Sequence, residues 1–316
     1  MRRVNRDRVI ALGLITPSII AVAVFVYGLI GWTGFVSTTR WNTLSPDYSP
    51  VGLANFVSIF NTERFQLDLR NTVVFTLFFI AASLLIGIVL ANFLDRRIRG
   101  EAFFRTVILF PMAVSFIVTG VVWKWLLSPS AGYNLLFGLD PASNRWFTDP
   151  TVLHLPSGTV LDSLGLSFLA SSTWGVPVAM LSIVIAAVWQ MSGYVMALYL
   201  AGLRAIPEEL REAARVDGAS EWQVFRRVTL PLLTPVTVTA VIILGHISLK
   251  IYDLTQAMSP RGPAFATDFP ANFMWQTSFT DDQFARGAAV AIVMLVMVAT
   301  LIVPYLVWNQ RSEAAA

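Results

Sequence analysis

Apolar residues in this chain do not alternate with polar ones. They run in blocks of about 20, the length of helix that crosses roughly 30 Å of hydrocarbon. Blocks at about 10–36, 72–94, 107–127, 178–203, 236–254 and 287–308 predict six transmembrane helices, an even number that places both termini on one side. The first block follows Arg2, Arg3, Arg6 and Arg8, as a secretory signal would, but its length and its Trp32 and Phe35 fit a retained span rather than a cleaved leader. Residues 128–177, between the third and fourth blocks, are rich in turn formers, with Pro141, Pro150 and Pro156. Within them, 164–174 is too short to cross and is expected at the membrane interface or packed on the bundle.

Composition strengthens this reading. Of 316 residues, 56% are hydrophobic and 13% charged, where a soluble domain has about a quarter charged. Such a chain cannot cover a water-facing surface, and its mean hydropathy is +0.67. With no cysteine, disulfides, thiolate metal sites and cysteine nucleophiles are excluded. The net charge of +3 suggests no nucleic-acid partner, because the basic residues flank the apolar blocks instead of forming one patch. They report topology. Arg2, Arg3, Arg6, Arg8, Arg96, Arg97, Arg99, Arg105, Arg204, Arg211, Arg215, Arg226, Arg227 and Arg311 fall on one side, and outnumber Arg40, Arg64, Arg70, Arg145, Arg261 and Arg286 on the other by more than two to one. The positive-inside rule therefore predicts cytoplasmic termini.

Residues 204–235 lie between two spans and read as two short cytoplasmic helices. Pro207 suits the first helical position, Glu208 and Glu209 favour the dipole of a first turn, Gly218 permits a turn, and Pro231 is expected to end the second helix. The mixture of charges with Leu210, Val216, Trp222 and Phe225 suits docking in another protein's groove, or equally a helix resting on anionic headgroups. The spacing Glu212-Ala213-Ala214, then Gly218, then Val228-Thr229-Leu230-Pro231 resembles the coupling loop, the EAA motif, of permease subunits of carbohydrate ATP-binding-cassette importers, relatives of the maltose permease. Only Val228 departs, conservatively, from isoleucine. The sequences Val51-Gly52-Leu53-Ala54-Asn55-Phe56 and Gly262-Pro263 extend the resemblance along the chain. Trp123-Lys124-Trp125, 189–194 and 250–254 look most like glucose or mannose permeases.

The resemblance implies a six-helix, all-α permease bundle spanning 1–316 as one domain in a prokaryotic inner membrane. It implies a second permease, forming a heterodimer, with two ATPase subunits and an extracytoplasmic sugar-binding protein. Glu212, Ala213, Ala214, Asp217, Gly218, Leu230 and Pro231 would couple to the ATPase, with Gly218 allowing a sharp exit that a side chain would obstruct. The substrate would be a monosaccharide such as glucose or mannose; a di- or oligosaccharide, a glycerol phosphate, or an autonomous channel or secondary transporter are the alternatives. No G-x-x-x-x-G-K-[ST] loop occurs, so ATP and Mg would be bound by the partner ATPase, with no cofactor on this chain. The chain is expected not to be an enzyme, since His154 and His246 have no metal-motif spacing and no catalytic set assembles.

Polar residues at membrane depth are the candidates for the sugar path. Gln190 and Tyr194 are four apart on one face of the fourth span, and the resemblance places them level with sugar-contacting positions. Their alternative is a helix–helix hydrogen bond. His246, Lys250 and Asp253 at i, i+4 and i+7 would form a polar stripe on the fifth span, with Ser248 nearby and Lys250 paired to Asp253. The two faces are expected to meet across a polar cavity. The alternative for the stripe is an internal salt bridge.

Overall fold

The computed structural model describes residues 2–96, 99–142, 144–151 and 175–314, with side chains described between 10 and 307. His154 and the expected interfacial stretch 164–174 lie outside the described residues. The α-helices in chain order are α1 (Arg2–Val22), α2 (Leu29–Ser37), α3 (Ala54–Phe60), α4 (Glu63–Asp95), α5 (Glu101–Ala113), α6 (Phe116–Leu126), α7 (Gly132–Leu136), α8 (Val178–Ala205), α9 (Glu208–Val216), α10 (Glu221–Val224), α11 (Leu230–Leu232), α12 (Thr234–Leu249), α13 (Asp253–Met258), α14 (Pro270–Phe279) and α15 (Phe284–Ala314). No strand forms among the described residues. The chain groups into two compact units, Met1–Thr62 with Phe273–Val296, and Glu63–Asn272 with Met297–Ala316.

In the first unit, α1 runs into α2 through a π-helical segment, Ala23–Gly28, so the first apolar block is one helical rod. Phe25, Tyr27 and Leu14 stand exposed along it, the pattern of a helix whose solvent is lipid. Buried Asn55 ties the following loop down, donating to the carbonyls of Ser37 and Thr39 at 2.9 and 2.8 Å.

The second unit holds the main core, where α4 and α8 form the most extensive helix pairing. Phe75, Phe79, Met180, Ile183 and Met196 are fully buried in it. Among the described residues, four helices are long and apolar enough to cross a membrane: 10–37, 63–95, 178–205 and 284–307. The third and fifth expected spans are broken. Between α5 and α6 the chain bends by 99°, and between the α10–α11 segment and α12 by 62°; counting each bent pair as one span brings the total to six.

The break in the third span falls at Val114 and Ser115. Val114 is extended, and Ser115 caps α6 by accepting from the Val118 amide. A break at membrane depth is tolerated where neighbouring helices take up the freed backbone groups. Here Gln190 of α8 donates its amide to the Val114 carbonyl at 2.6 Å. Gly193 of α8 presses against the same half-span, and a Cβ there would lie 2.1 Å from the Ile108 carbonyl oxygen. Backbone cannot swing aside as a flexible side chain can. Gly193→Ala is therefore expected to destabilise the purified protein by about 1–3 kcal/mol through overpacking, seen as a lowered melting temperature; an unchanged melting temperature would show that α5 shifts freely.

The fifth span ends earlier than its apolar block. Helix α12 stops at Leu249, the chain leaves helical dihedrals at Lys250 and Tyr252, and α13 starts afresh at Asp253, an acid in a first turn. Helix α13 packs on α6 at Gly120, where an added Cβ would sit 2.7 Å from Ala257 and 2.9 Å from the Leu254 carbonyl.

Candidate coupling loop and translocation residues

The 204–235 loop folds as two helices joined by a fixed turn. Pro207 takes the N-cap position, one residue earlier than expected, and Glu208 opens α9. At the other end Gly218 is left-handed, with φ +82°. The Ala219 amide donates to Ala214 O and the Gly218 amide to Arg215 O, both at 3.0 Å, which caps the carbonyl end of α9. Ser220 then starts α10 with a reciprocal cap, its amide donating to Gln223 Oε1 at 2.8 Å while its hydroxyl accepts from the Gln223 amide. Arg215 clips the turn shut, reaching Glu221 at 2.8 Å and Glu208 at 3.4 Å. Pro231 does not end the second helix. A π-helical segment, Phe225–Thr229, carries the chain into α11 with Pro231 near its start, where its missing N–H needs no partner, and the bend comes afterwards.

Glu212, Ala213, Asp217, Gly218, Leu230 and Pro231 are exposed, and Ala214 is half-buried. The loop also presents apolar side chains to its surroundings: Val216 is 86% exposed, Trp222 64% and Leu210 46%. Behind it lies a polar cleft of about 1080 Å³, lined in part by Asp95, Glu101, Arg204 and Arg211. Arg204 meets Glu101 at 2.6 Å, and Arg211 meets Asp95 at 3.2 Å. In the sequence alone these two arginines register only as topology signals.

The expected sugar contacts divide into committed and uncommitted groups. Gln190 is 3% exposed and bonded to the break in the third span, so the helix-link alternative describes its amide nitrogen; its Oε1 is buried without a protein partner. Ser248 is buried, accepting from Thr76 and donating to the Gly245 carbonyl, both at 2.8 Å. Tyr194 is half-buried, while Lys250 and Asp253 are exposed. The stripe expected from His246 through Asp253 does not exist, because the helix ends between them. The ion pairs among the described residues do not include one between Lys250 and Asp253, nor does a hydrogen bond join either to Gln190 or Tyr194. Trp123 instead meets Trp189 edge-on, with centroids 6.0 Å apart. No group of three His, Asp or Glu side chains that could hold a metal occurs among the described residues.

Long apolar helices, two of them bent pairs, with a capped polar–apolar loop between two of them mark a membrane-embedded helical protein. Residues 83–314 match the family of binding-protein-dependent transport system inner membrane components, and the chain belongs to that family. It is 38% identical over 301 residues to a probable ABC transporter permease protein of Pyrococcus horikoshii, covering 94% of each chain. It is 31% identical to the xylose/arabinose import permease XacH of Haloferax volcanii, covering 93% of this chain and 86% of that one. It is 30% identical to the trehalose/maltose transport system permease MalF of Thermococcus litoralis, covering 93% and 91%. Among solved structures, a bacterial alginate ABC transporter in complex with an alginate pentasaccharide-bound periplasmic protein shares the fold, with a TM-score of 0.70 at 20% identity over 95% of this chain and 94% of that one. The chain is a transport permease and not an enzyme.

Proposed function

We propose that this chain forms half of the translocation pathway of an ATP-driven carbohydrate importer. It would pair with a second permease as a heterodimer and receive sugar from an extracytoplasmic binding protein. Two ATPase subunits, holding the ATP and Mg, would engage the 204–235 loop, with both termini cytoplasmic. The observation that carries this reading is the loop itself, braced by capping at both sides of Gly218 while Val216 and Trp222 stay exposed. A rigid element with uncovered apolar groups is what a lever seated in a partner's groove requires. The relatives' substrates include a pentose pair, disaccharides, an acidic polysaccharide and sn-glycerol-3-phosphate. Most of them support carbohydrate as the class, and they give no support to glucose or mannose in particular.

Purification from membranes tests the assembly: an ATPase and a second permease should co-isolate, whereas uptake by this chain alone would overturn the reading. A binding screen of the cognate extracytoplasmic protein against pentoses, hexoses, disaccharides and glycerol phosphates fixes the substrate. Of the expected sugar contacts, Tyr194, Lys250 and Asp253 retain free polar groups for hydroxyls, whereas Gln190 and Ser248 are spoken for in part. Tyr194→Phe or Lys250→Ala should lower uptake several-fold at an unchanged melting temperature, consistent with about 1–3 kcal/mol for one buried hydrogen bond. Gln190→Ala should lower the melting temperature as well, because it strands the Val114 carbonyl. If Tyr194→Phe and Lys250→Ala both transport normally, the sugar path runs elsewhere.

A further inference from the structure

The coupling reading leaves one mechanical question, which is how displacement of a nine-residue helix, α9, reaches the membrane helices. Chain continuity supplies one attachment, since α9 follows α8 after Ile206 and Pro207. A helix tethered at one end can pivot, and a pivoting lever transmits nothing. Arg211, one turn into α9, supplies a second attachment. Its Nη1 meets Asp95 Oδ2 at 3.2 Å and its Nη2 donates to the Leu203 carbonyl at 3.0 Å. The two side chains are only 14% and 20% exposed, so this is not a solvent-screened surface pair.

Both partners sit where a helix needs this guanidinium. Asp95 is the last residue of α4, where its charge opposes the negative end of the helix dipole. The Leu203 carbonyl belongs to the last turn of α8, where it also accepts from the Ile206 amide at 3.3 Å. One cation thus joins the carboxylate that closes α4 and a last-turn carbonyl of α8 to α9. The Arg204–Glu101 pair at 2.6 Å adds the start of α5 to the same cluster. Glu208, on α9 itself, lies 4.0 Å from Arg211 and helps orient it.

We propose that Arg211 is the positioning residue of the coupling loop: through Asp95 and Leu203 it fixes the angle of α9 to α4 and α8, so that the loop and the spans move together. This rests on the coupling reading, and the experiment separates the two. In the reconstituted complex with its ATPase, second permease and binding protein, Arg211→Gln should still co-purify with the ATPase. Its sugar uptake and its sugar-stimulated ATP hydrolysis should both fall about fivefold. Arg211→Lys keeps the charge but cannot hold both partners in one planar fork, and should fall between. Asp95→Asn combined with Arg211→Gln should be no worse than Arg211→Gln alone, since the Asp95 tie is already lost in the single variant.

Unchanged uptake and stimulation in Arg211→Gln would overturn the proposal. So would loss of the ATPase from that variant, because Arg211 would then belong to the docking surface. Val216→Asp, which puts a charge on the exposed apolar face, is the control for the coupling reading. If that variant retains its ATPase, the coupling reading fails, whatever Arg211 does.

Discussion

Gly218→Val is expected to cut uptake tenfold or more while the protein still inserts and folds, and Gly218→Asn to retain most of it. An added Cβ at Gly218 would meet nothing within 4 Å, so crowding is not the reason. The reason is the backbone, with φ at +82°. An L-residue held left-handed costs about 1–2 kcal/mol, and a β-branched one is a true outlier there, whereas asparagine is several-fold enriched. A residue that refuses this conformation breaks the donations from Ala219 and Gly218 that cap α9. The angle between α9 and α10 then changes, and with it the fit of the exposed face to a partner. A loss of 1.4 kcal/mol in that fit is a tenfold loss in occupancy. Uptake assays with expression controls decide the matter: equal transport by the valine variant, or equal damage by valine and asparagine, would sink this account.

Gly218 is legible as a turn from sequence, but what requires glycine there is its left-handed backbone and not the obstruction that the resemblance implies. The same division runs through the rest of the chain. Unbroken apolar blocks gave the fourth span to within two residues at either end, because length and hydropathy are local properties. The breaks in the third and fifth spans are not local. Pro111 lies inside α5 and the chain breaks three residues later, where Ser115 caps α6 and Gln190, 76 positions away, takes the Val114 carbonyl. Helical periodicity puts His246, Lys250 and Asp253 on one face only if the helix is continuous, and the non-helical backbone at Lys250 and Tyr252 denies that. Arg211 and Asp95 are 116 positions apart, so their pairing had one local hint only: an acid closing an apolar span, where the dipole disfavours it.

Arg64→Ala is expected to destabilise the protein by about 3–5 kcal/mol, the range for breaking a buried ion pair and leaving one charge behind. Arg64 Nε meets Asp268 Oδ2 at 2.6 Å, and the Asp268 side chain is wholly buried. The segment that carries Asp268 needs holding, because Arg261, Ala264 and Phe265 all have positive φ, at about 1–3 kcal/mol each. Asn71 donates to the carbonyls of Phe265 and Asp268 at 2.7 and 2.9 Å, and the Arg64 guanidinium lies 5.2 Å from the centre of the Phe265 ring. Burial pushes the Asp268 carboxyl up from its usual range, and Arg64 is the main force pulling it back. Without Arg64 only the Phe269 amide and the Arg261 charge still oppose burial, and the folded state prefers the carboxyl protonated more strongly. A carboxyl raised in the folded state stabilises the fold most at low pH, and that contribution is lost as pH rises above the ordinary carboxylate range. The Arg64→Ala defect should therefore be larger at pH 8 than at pH 5, and Asp268→Asn in the same chain should relieve it by removing the stranded charge. Melting temperatures of the purified single and double variants at both pH values are the measurement. A loss that is the same at both pH values and untouched by Asp268→Asn would mean that Arg64 acts through its packing on Phe265 and not through its charge.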